Sequence, residues 1–202
     1  TGRVTHMYGT HQDITETKQA ELALEDQVRQ NSLMEAVATA ANEAATLTEV
    51  LSHARHLVLL HDDWERARAF LPTADRTRVE PLYITEADRV EDEATPDVTG
   101  SELALAGRAY TEMRSVWDDA RLTIAFPVSY ADEVVAVVTM TSAPPLNRLE
   151  MIETMVEQVA VQLGRVAERE RSQRELADAR DGALAASRQK SEFLATMSHE
   201  IR

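Results

Sequence analysis

Leu149, Ile152, Val156, Val159, Leu163 and Val166 follow one another in alternating steps of three and four, and this spacing constrains the chain most. A period of 3.5 residues lays an apolar stripe along a helix, and such a stripe demands a partner helix and a left-handed supercoil. Pro144-Pro145 stand just before it, and Asn147 with Glu150 predicts a capping box that opens the helix there. The stripe fails from Ala167 to Glu175, where nearly every residue is charged or polar. It resumes in a different phase through Leu176, Ala183, Leu194, Met197 and Ile201. A phase break of this kind is a stutter, which locally unwinds a coiled coil and gives it two packings of similar energy. The same charged run also fits a long helix that is simply kept soluble. Gly182 does not end the helix, since one interior glycine costs only about 1 kcal/mol. From Asn147 to Arg202 the rod would run roughly 80 Å at 1.5 Å per residue, more than an ordinary globular domain needs.

A second helix is expected upstream. Asp13 and Glu16 form a capping box, and no glycine or proline follows until after Ala44. Leu24, Val28, Asn31, Met34, Ala38 and Ala41 recur in steps of three and four, a coiled-coil seam in which Asn31 either fixes register or sits on a slightly rotated surface. Between the two helices, about Thr46 to Ala143, the pattern is globular. Thr46 and Glu49 cap a helix through Leu60; Arg66 to Leu71 and Arg78 to Ile84 read as strands joined by Pro72-Thr73-Ala74-Asp75. The run Glu86 to Asp97 holds six acids against Arg89 and reads as a solvated loop, with a mobile lid as the alternative. Thr99 and Glu102 are expected to cap a short helix through about Tyr110. Ser115 to Trp117 is a strand stub, and Leu122 to Tyr130 with Val134 to Thr141 makes a hairpin around Ala131-Asp132. Val134-Val-Ala-Val-Val138 is apolar on both sides, so it belongs in the middle of a sheet covered on both faces. The fold class is therefore α+β: an antiparallel sheet flanked by helices, with long helices at both ends.

Composition narrows the partners. With 21 Lys+Arg against 35 Asp+Glu the formal charge is −14. Such a surface repels phosphate backbones and anionic lipid, which counts against nucleic acid or a membrane as the main partner. The absence of cysteine excludes disulfides, thiolate metal sites, cysteine nucleophiles and thioether-linked chromophores. Aromatics are 4%, so the core must rest on Val, Leu, Ile, Met and Ala. No apolar run reaches the roughly 18–20 residues of a bilayer span. The chain starts at Thr1 and stops inside a helical pattern, which reads as a piece of a longer, cytoplasmic protein. His53, His56 and His61 lack a third convergent ligand and are read as ordinary histidines rather than haem or metal ligands; Trp64 and Trp117 are read as core anchors.

The chemistry is concentrated in Ser191-Glu-Phe-Leu-Ala-Thr-Met-Ser-His-Glu-Ile-Arg202. On a helix, Phe193, Leu194, Met197 and Ile201 share a face, while His199 projects from another with Glu200 beside it. An exposed imidazole can attack phosphorus, and an adjacent carboxylate can orient the ring or take its proton. The string resembles the H-box of sensor histidine kinases, the first helix of their dimerisation and phosphotransfer domain. That resemblance implies His199 as phosphoacceptor and Glu200 as its acid/base neighbour. It also implies a parallel homodimer, and ATP with Mg in a separate ATP-binding domain of the same parent. The phosphate would then pass to an aspartate of a response-regulator receiver domain. With neither the second bundle helix nor an ATP-binding domain, the fragment alone is expected to be silent.

Two further resemblances agree. Gly9-Thr-His-Gln-Asp-Ile-Thr-Glu-Thr-Lys-Gln-Ala-Glu21 looks like the exit of a PAS domain, too short to hold a PAS ligand pocket. The middle resembles a GAF domain: helix, hairpin, acidic loop, short helix, Ala125-Phe-Pro-Val128, a turn, then Val134 to Val138. Pro127 inside a strand is a habit of that family; by itself it argues for an edge or bulge. GAF domains often bind small molecules, but without Cys a bilin cannot be attached here, and no cyclic-nucleotide signature is present. Only Asp118, Asp119 and Ala120 separate Trp117 from Arg121, so a loop that commonly helps roof the pocket is nearly absent. The GAF ligand is left unassigned. The expected organisation is PAS tail (1–12), linker helix (13–45), GAF-like sensor (46–146), signalling coiled coil (147–190) and start of the phosphoacceptor domain (191–202). The expected function is the sensory and dimerising part of a two-component histidine kinase. The alternative is a stand-alone small-molecule-binding GAF module whose helices only oligomerise. A hydrolytic or metal enzyme finds no convergent residue set.

Overall fold

The computed structural model describes residues 15–60, 64–142 and 149–200. The PAS-like tail, Asp13, His61 and Asn147 therefore lie outside the described residues. The elements in order are α1 (Thr15–Glu43), α2 (Leu47–Leu59), β1 (Arg66–Pro72), β2 (Val79–Pro81), α3 (Glu86–Ala94), α4 (Pro96–Glu112), β3 (Val116–Trp117), β4 (Thr123–Tyr130), β5 (Glu133–Thr141) and α5 (Leu149–Glu200). The strands form one antiparallel sheet in the order β2-β1-β5-β4-β3. The fold is α+β, as the pattern predicts.

β5 lies at the centre, and its double-sided apolar run explains why. Ala136 packs with the cluster under α1, α2 and α5, while Val134 and Val137 pack with the cluster under α4. The hairpin closes through Ala131 (φ 49°) and Asp132 (φ 63°), with Tyr130 opposite Glu133. Two left-handed residues in a two-residue loop match the twist of the flanking strands. Pro127 falls where β3, paired only to Ile124 and Ala125, no longer covers β4, and a register shift follows at Val128/Ser129. Both the edge and the bulge that its position argues for are present. β2 is shorter than expected, three residues rather than the span from Arg78 to Ile84. At α2, Glu49 N–H donates to Thr46 Oγ1 (3.2 Å), and the Glu49 carboxylate accepts from Ala45 N–H (2.7 Å).

Three expectations are corrected. The seam from Leu149 to Val166 finds its partners inside its own chain: Val156, Leu163 and Val166 are at most 1% exposed, packed with α1, α2 and the sheet. Burying such side chains stabilises by about 1.5–3 kcal/mol each. The stripe therefore demands no second copy, because α1 and β4 cover it. On α1, Leu24 and Val28 are 62% and 60% exposed and Asn31 is exposed, whereas Leu33, Val37 and Ala40, with Ala44 just past the helix end, enter the core. The buried stripe is thus rotated from the expected seam, of which Ala41 is buried and Met34 packs against the core half-buried. Finally, the acidic run is not a loop. It forms α3 and the first turn of α4, and Asp88 and Asp92 are buried.

The polar break in α5 is in part a set of caps. Arg169 Nη2 donates to the carbonyls of Ala41 and Ala44 at the C-terminus of α1, and Glu170 Oε2 accepts from Leu47 N–H at the start of α2 (2.9 Å). These are groups that helix ends leave unsatisfied. Arg171 lies over the Tyr130 ring, 6.0 Å from its centroid. From Arg171 to Ser191 every residue is exposed, Leu176 at 72%. Gly164 meets β4 so closely that a Cβ there would stand 2.4 Å from Ser129 O.

Candidate functional site

His199 and Glu200 are the last two residues of α5, a continuous helix of 52 residues. Their side chains lie outside the described residues, as do those of Phe193, Leu194 and Met197. The helix joins these positions directly to the domain core through Val156, Leu163 and Val166.

The polar centre of the described domain is elsewhere, on the face of the sheet beneath α3 and α4. On β1, Arg66 and Arg68 alternate with Ala67 and Ala69, so both arginines point to the face that also carries Phe70, while the alanines face α2. Arg55 reaches the same place from α2. Arg66 bonds Glu91 (2.6 Å), Asp92 (2.7 Å) and Glu102 (3.0 Å). Arg68 bonds Glu91 (2.7 Å), Asp92 (3.1 Å) and, more distantly, Asp88 (3.4 Å); Arg55 pairs with Asp88. Asp88 also caps α3. Its Oδ2 accepts from Ile84 N–H (3.0 Å) and Thr85 N–H (2.9 Å), while its own N–H donates to Thr85 Oγ1 (3.3 Å), completing a capping box. Glu102 Oε1 accepts from Thr141 Oγ1 (3.2 Å).

The titration of these groups follows from their surroundings. Burial alone would raise Asp88, but Arg55 and the Thr85 and Ile84 amides hold it below the usual carboxylate range. For Glu102 the balance is reversed: burial pushes the carboxyl up against the pull of Arg66, Thr141 and Arg68. Among the described residues two buried polar atoms stay unpartnered, Arg55 Nε and Thr139 Oγ1. Buried polar groups without partners are uncommon in folded proteins.

Between α1, α2, α5 and the sheet a mainly apolar cavity of about 40 Å³ lies among Leu33, Val37, Leu51, Phe126 and Leu163, and its wall reaches Arg55, Arg68 and Asp88 of the charged cluster. That is space for little more than water, far below the ~300 Å³ where small-molecule pockets begin. His53 and His56 are exposed on α2, and among the described residues no group of three metal-ligating side chains comes together. Trp64 is buried, and Trp117 donates from Nε1 to Glu153 (2.7 Å); both anchor the core as expected. Sequence reasoning missed the arginine–carboxylate cluster. Its signal was available: Thr85-Glu-Ala-Asp88 has capping-box spacing, and Arg66-Ala-Arg-Ala-Phe70 sets two charges on one face of an otherwise apolar strand.

The fold is that of a GAF domain. It resembles the GAF domain of a phosphoenolpyruvate-protein phosphotransferase from Acinetobacter at 14% identity and a TM-score of 0.52, covering 71% of this chain and 95% of that one. It is similar to the GAF domain of the potassium sensor histidine kinase KdpD from Escherichia coli at 11% identity and a TM-score of 0.51, covering 73% and 96%. No family model matches the chain, and no curated protein is similar to it in sequence. Among the described residues no helix is long and apolar enough to cross a membrane.

Proposed function

We propose that this chain is the sensory and dimerising segment of a cytoplasmic two-component sensor histidine kinase, with His199 as phosphoacceptor and Glu200 as its acid/base neighbour. The observation that carries the reading is α5: one helix leaves a GAF-like core and runs without interruption to the segment Ser191–Arg202, whose string resembles an H-box. Chemically, the His199 side-chain nitrogen would attack the γ-phosphorus of ATP, breaking the bond to ADP, while Glu200 orients the ring or takes its proton. ATP and Mg would be supplied by an ATP-binding domain of the same parent. A receiver-domain aspartate of a response regulator would then take the phosphoryl group. A parallel homodimer would bring two His199 helices together. Support for association now comes not from the buried seam but from apolar residues exposed on the outer helices: Leu24 and Val28 on α1, Leu176 and Leu184 on α5.

The test supplies the parent's ATP-binding domain in trans with labelled ATP. Wild-type chain is expected to acquire an acid-labile, alkali-stable label, and His199→Gln to acquire none. Equal labelling of His199→Gln would refute the assignment. Sedimentation at micromolar concentration checks the dimer, and a monomer there would remove it. The stand-alone GAF module predicts a dimer with no labelling under any condition.

A further inference from the structure

Helix α3 is fastened without apolar contacts of its own. Its buried residues are Asp88 and Asp92, while Ala87, Val90 and Ala94 are exposed. The neighbouring α4, by contrast, buries Leu105, Ala106 and Ala109. What holds α3 down is the set of guanidinium groups of Arg55, Arg66 and Arg68, engaged by Asp88, Glu91 and Asp92. Without α3, that face would carry three guanidinium charges against the single carboxylate of Glu102. Arginine side chains that are 4% and 11% exposed, as those of Arg68 and Arg66 are, need anionic partners, because an unpaired buried charge is costly. The chain supplies those partners from a helix that has no other anchor. The unpartnered Thr139 Oγ1 stands opposite Arg68 in the β1/β5 register, and Arg55 Nε is also unused. The cluster therefore holds more donors than the carboxylates of α3 satisfy. A cleft of about 290 Å³ alongside is lined by Asp97, Glu102 and Asp118 with no cationic side chain, so it offers an anion no path to the arginines. The cavity of about 40 Å³ whose wall includes Arg55 and Arg68 has space for little more than water, so the way in for a larger anion lies where α3 sits.

We propose that α3 is a charge-latched lid whose Asp88, Glu91 and Asp92 occupy a three-arginine site for a compact multivalent anion, a polycarboxylate or a polyphosphate. Guanidinium forks bind carboxylate and phosphate oxygens in pairs, so either group can replace the lid's acids one for one. The lid and the anion compete: binding releases α3, and the empty site recloses on its own acids. The proposal goes beyond the kinase reading and does not depend on it, since binding is scored without phosphotransfer.

The test titrates the full chain with citrate, and separately with Mg-free pyrophosphate, by calorimetry against KCl of matched ionic strength. Glu91→Gln removes a carboxylate that bridges Arg66 and Arg68 from a half-exposed position, and is expected to tighten binding at least fivefold. Arg66→Gln is expected to lose it. Should that variant not fold, Arg55→Gln, at the edge of the cluster, is expected to weaken binding by a similar factor. On binding, amides of Glu86–Ala94 should exchange faster while those of Leu105–Ala109 do not. A response to citrate alone assigns a carboxylate ligand, and a response to pyrophosphate alone a phosphate one. No saturable binding of either anion to wild type and Glu91→Gln, binding indifferent to Glu91→Gln and to the arginine variants, or binding without release of α3 overturns the proposal.

Discussion

Replacing Gly164 by alanine tests how α5 lies on the sheet. In an open helix the change stabilises by about 1 kcal/mol, because glycine pays more backbone entropy. At Gly164 the new Cβ would stand 2.4 Å from the Ser129 carbonyl oxygen, a backbone atom beside the β4 irregularity. Ordinary C···O contacts begin near ~3.3 Å, so helix or strand must retreat by about 1 Å. Overpacking of this kind costs about 1–3 kcal/mol. Gly100→Ala on α4 is the matched control, since a Cβ there meets nothing within 4 Å. Helix propensity cancels between the two, so their difference isolates the clash. At about 2–4 °C per kcal/mol, a contrast of ~2 kcal/mol places Gly164→Ala some 4–8 °C below Gly100→Ala in thermal melting. If Gly164→Ala melts at or above Gly100→Ala, the close approach of α5 to β4 is wrong, and with it the packing of the seam.

Four further outcomes follow from other contacts. Val159→Asp places an unpaired charge in the core and should cost about 3–5 kcal/mol, so circular dichroism will record lost fold rather than a folded monomer. Arg169→Ala and Glu170→Ala each remove a cap at the α1–α2 joint and should cost about 1–2 kcal/mol in urea unfolding, with the larger loss where the Ala41 and Ala44 carbonyls lose their donor. Glu102 has a raised carboxyl, so the folded state binds its proton more tightly than the unfolded state and loses relative stability as pH rises through the usual carboxylate range. Glu102→Gln should remove that loss, leaving stability at neutral pH equal to or above wild type. Asp88 has the opposite sign: its lowered carboxyl contributes stability above the ordinary range that disappears as pH falls, and Asp88→Asn should flatten the acid limb of the stability profile.

The parts legible in the sequence are those whose cause is local. The capping residues of α2, the two-residue hairpin at Ala131-Asp132 and the two-sided apolarity of β5 each need only neighbouring residues to be understood. The misread parts depend on partners far along the chain. Asp88 and Asp92 look like solvated acids until Arg66 and Arg68, about twenty residues or more upstream, are seen to face them. The period of the α5 stripe reports that something apolar covers it, but not whether that cover is a second copy, α1 or a sheet. Leu33 and Val37 differ from the expected α1 seam by a small rotation that only the fold decides. The H-box string is local in another sense, since its spacing is specific without any contact.

Both rims of the sheet are closed to further strands. At one side β2 is three residues long and ends at Pro81, opposite Phe70, while Pro72 stands across from Val79. At the other, β4 runs past β3 with Pro127, which has no amide hydrogen to offer, and then shifts register at Ser129, whose carbonyl faces Gly164. Proline and a bulge at an uncovered strand are what keep β-proteins from zippering into one another. Proline and the bulge therefore leave copies of this chain little backbone on β2 or on the uncovered part of β4 with which to extend each other's sheets.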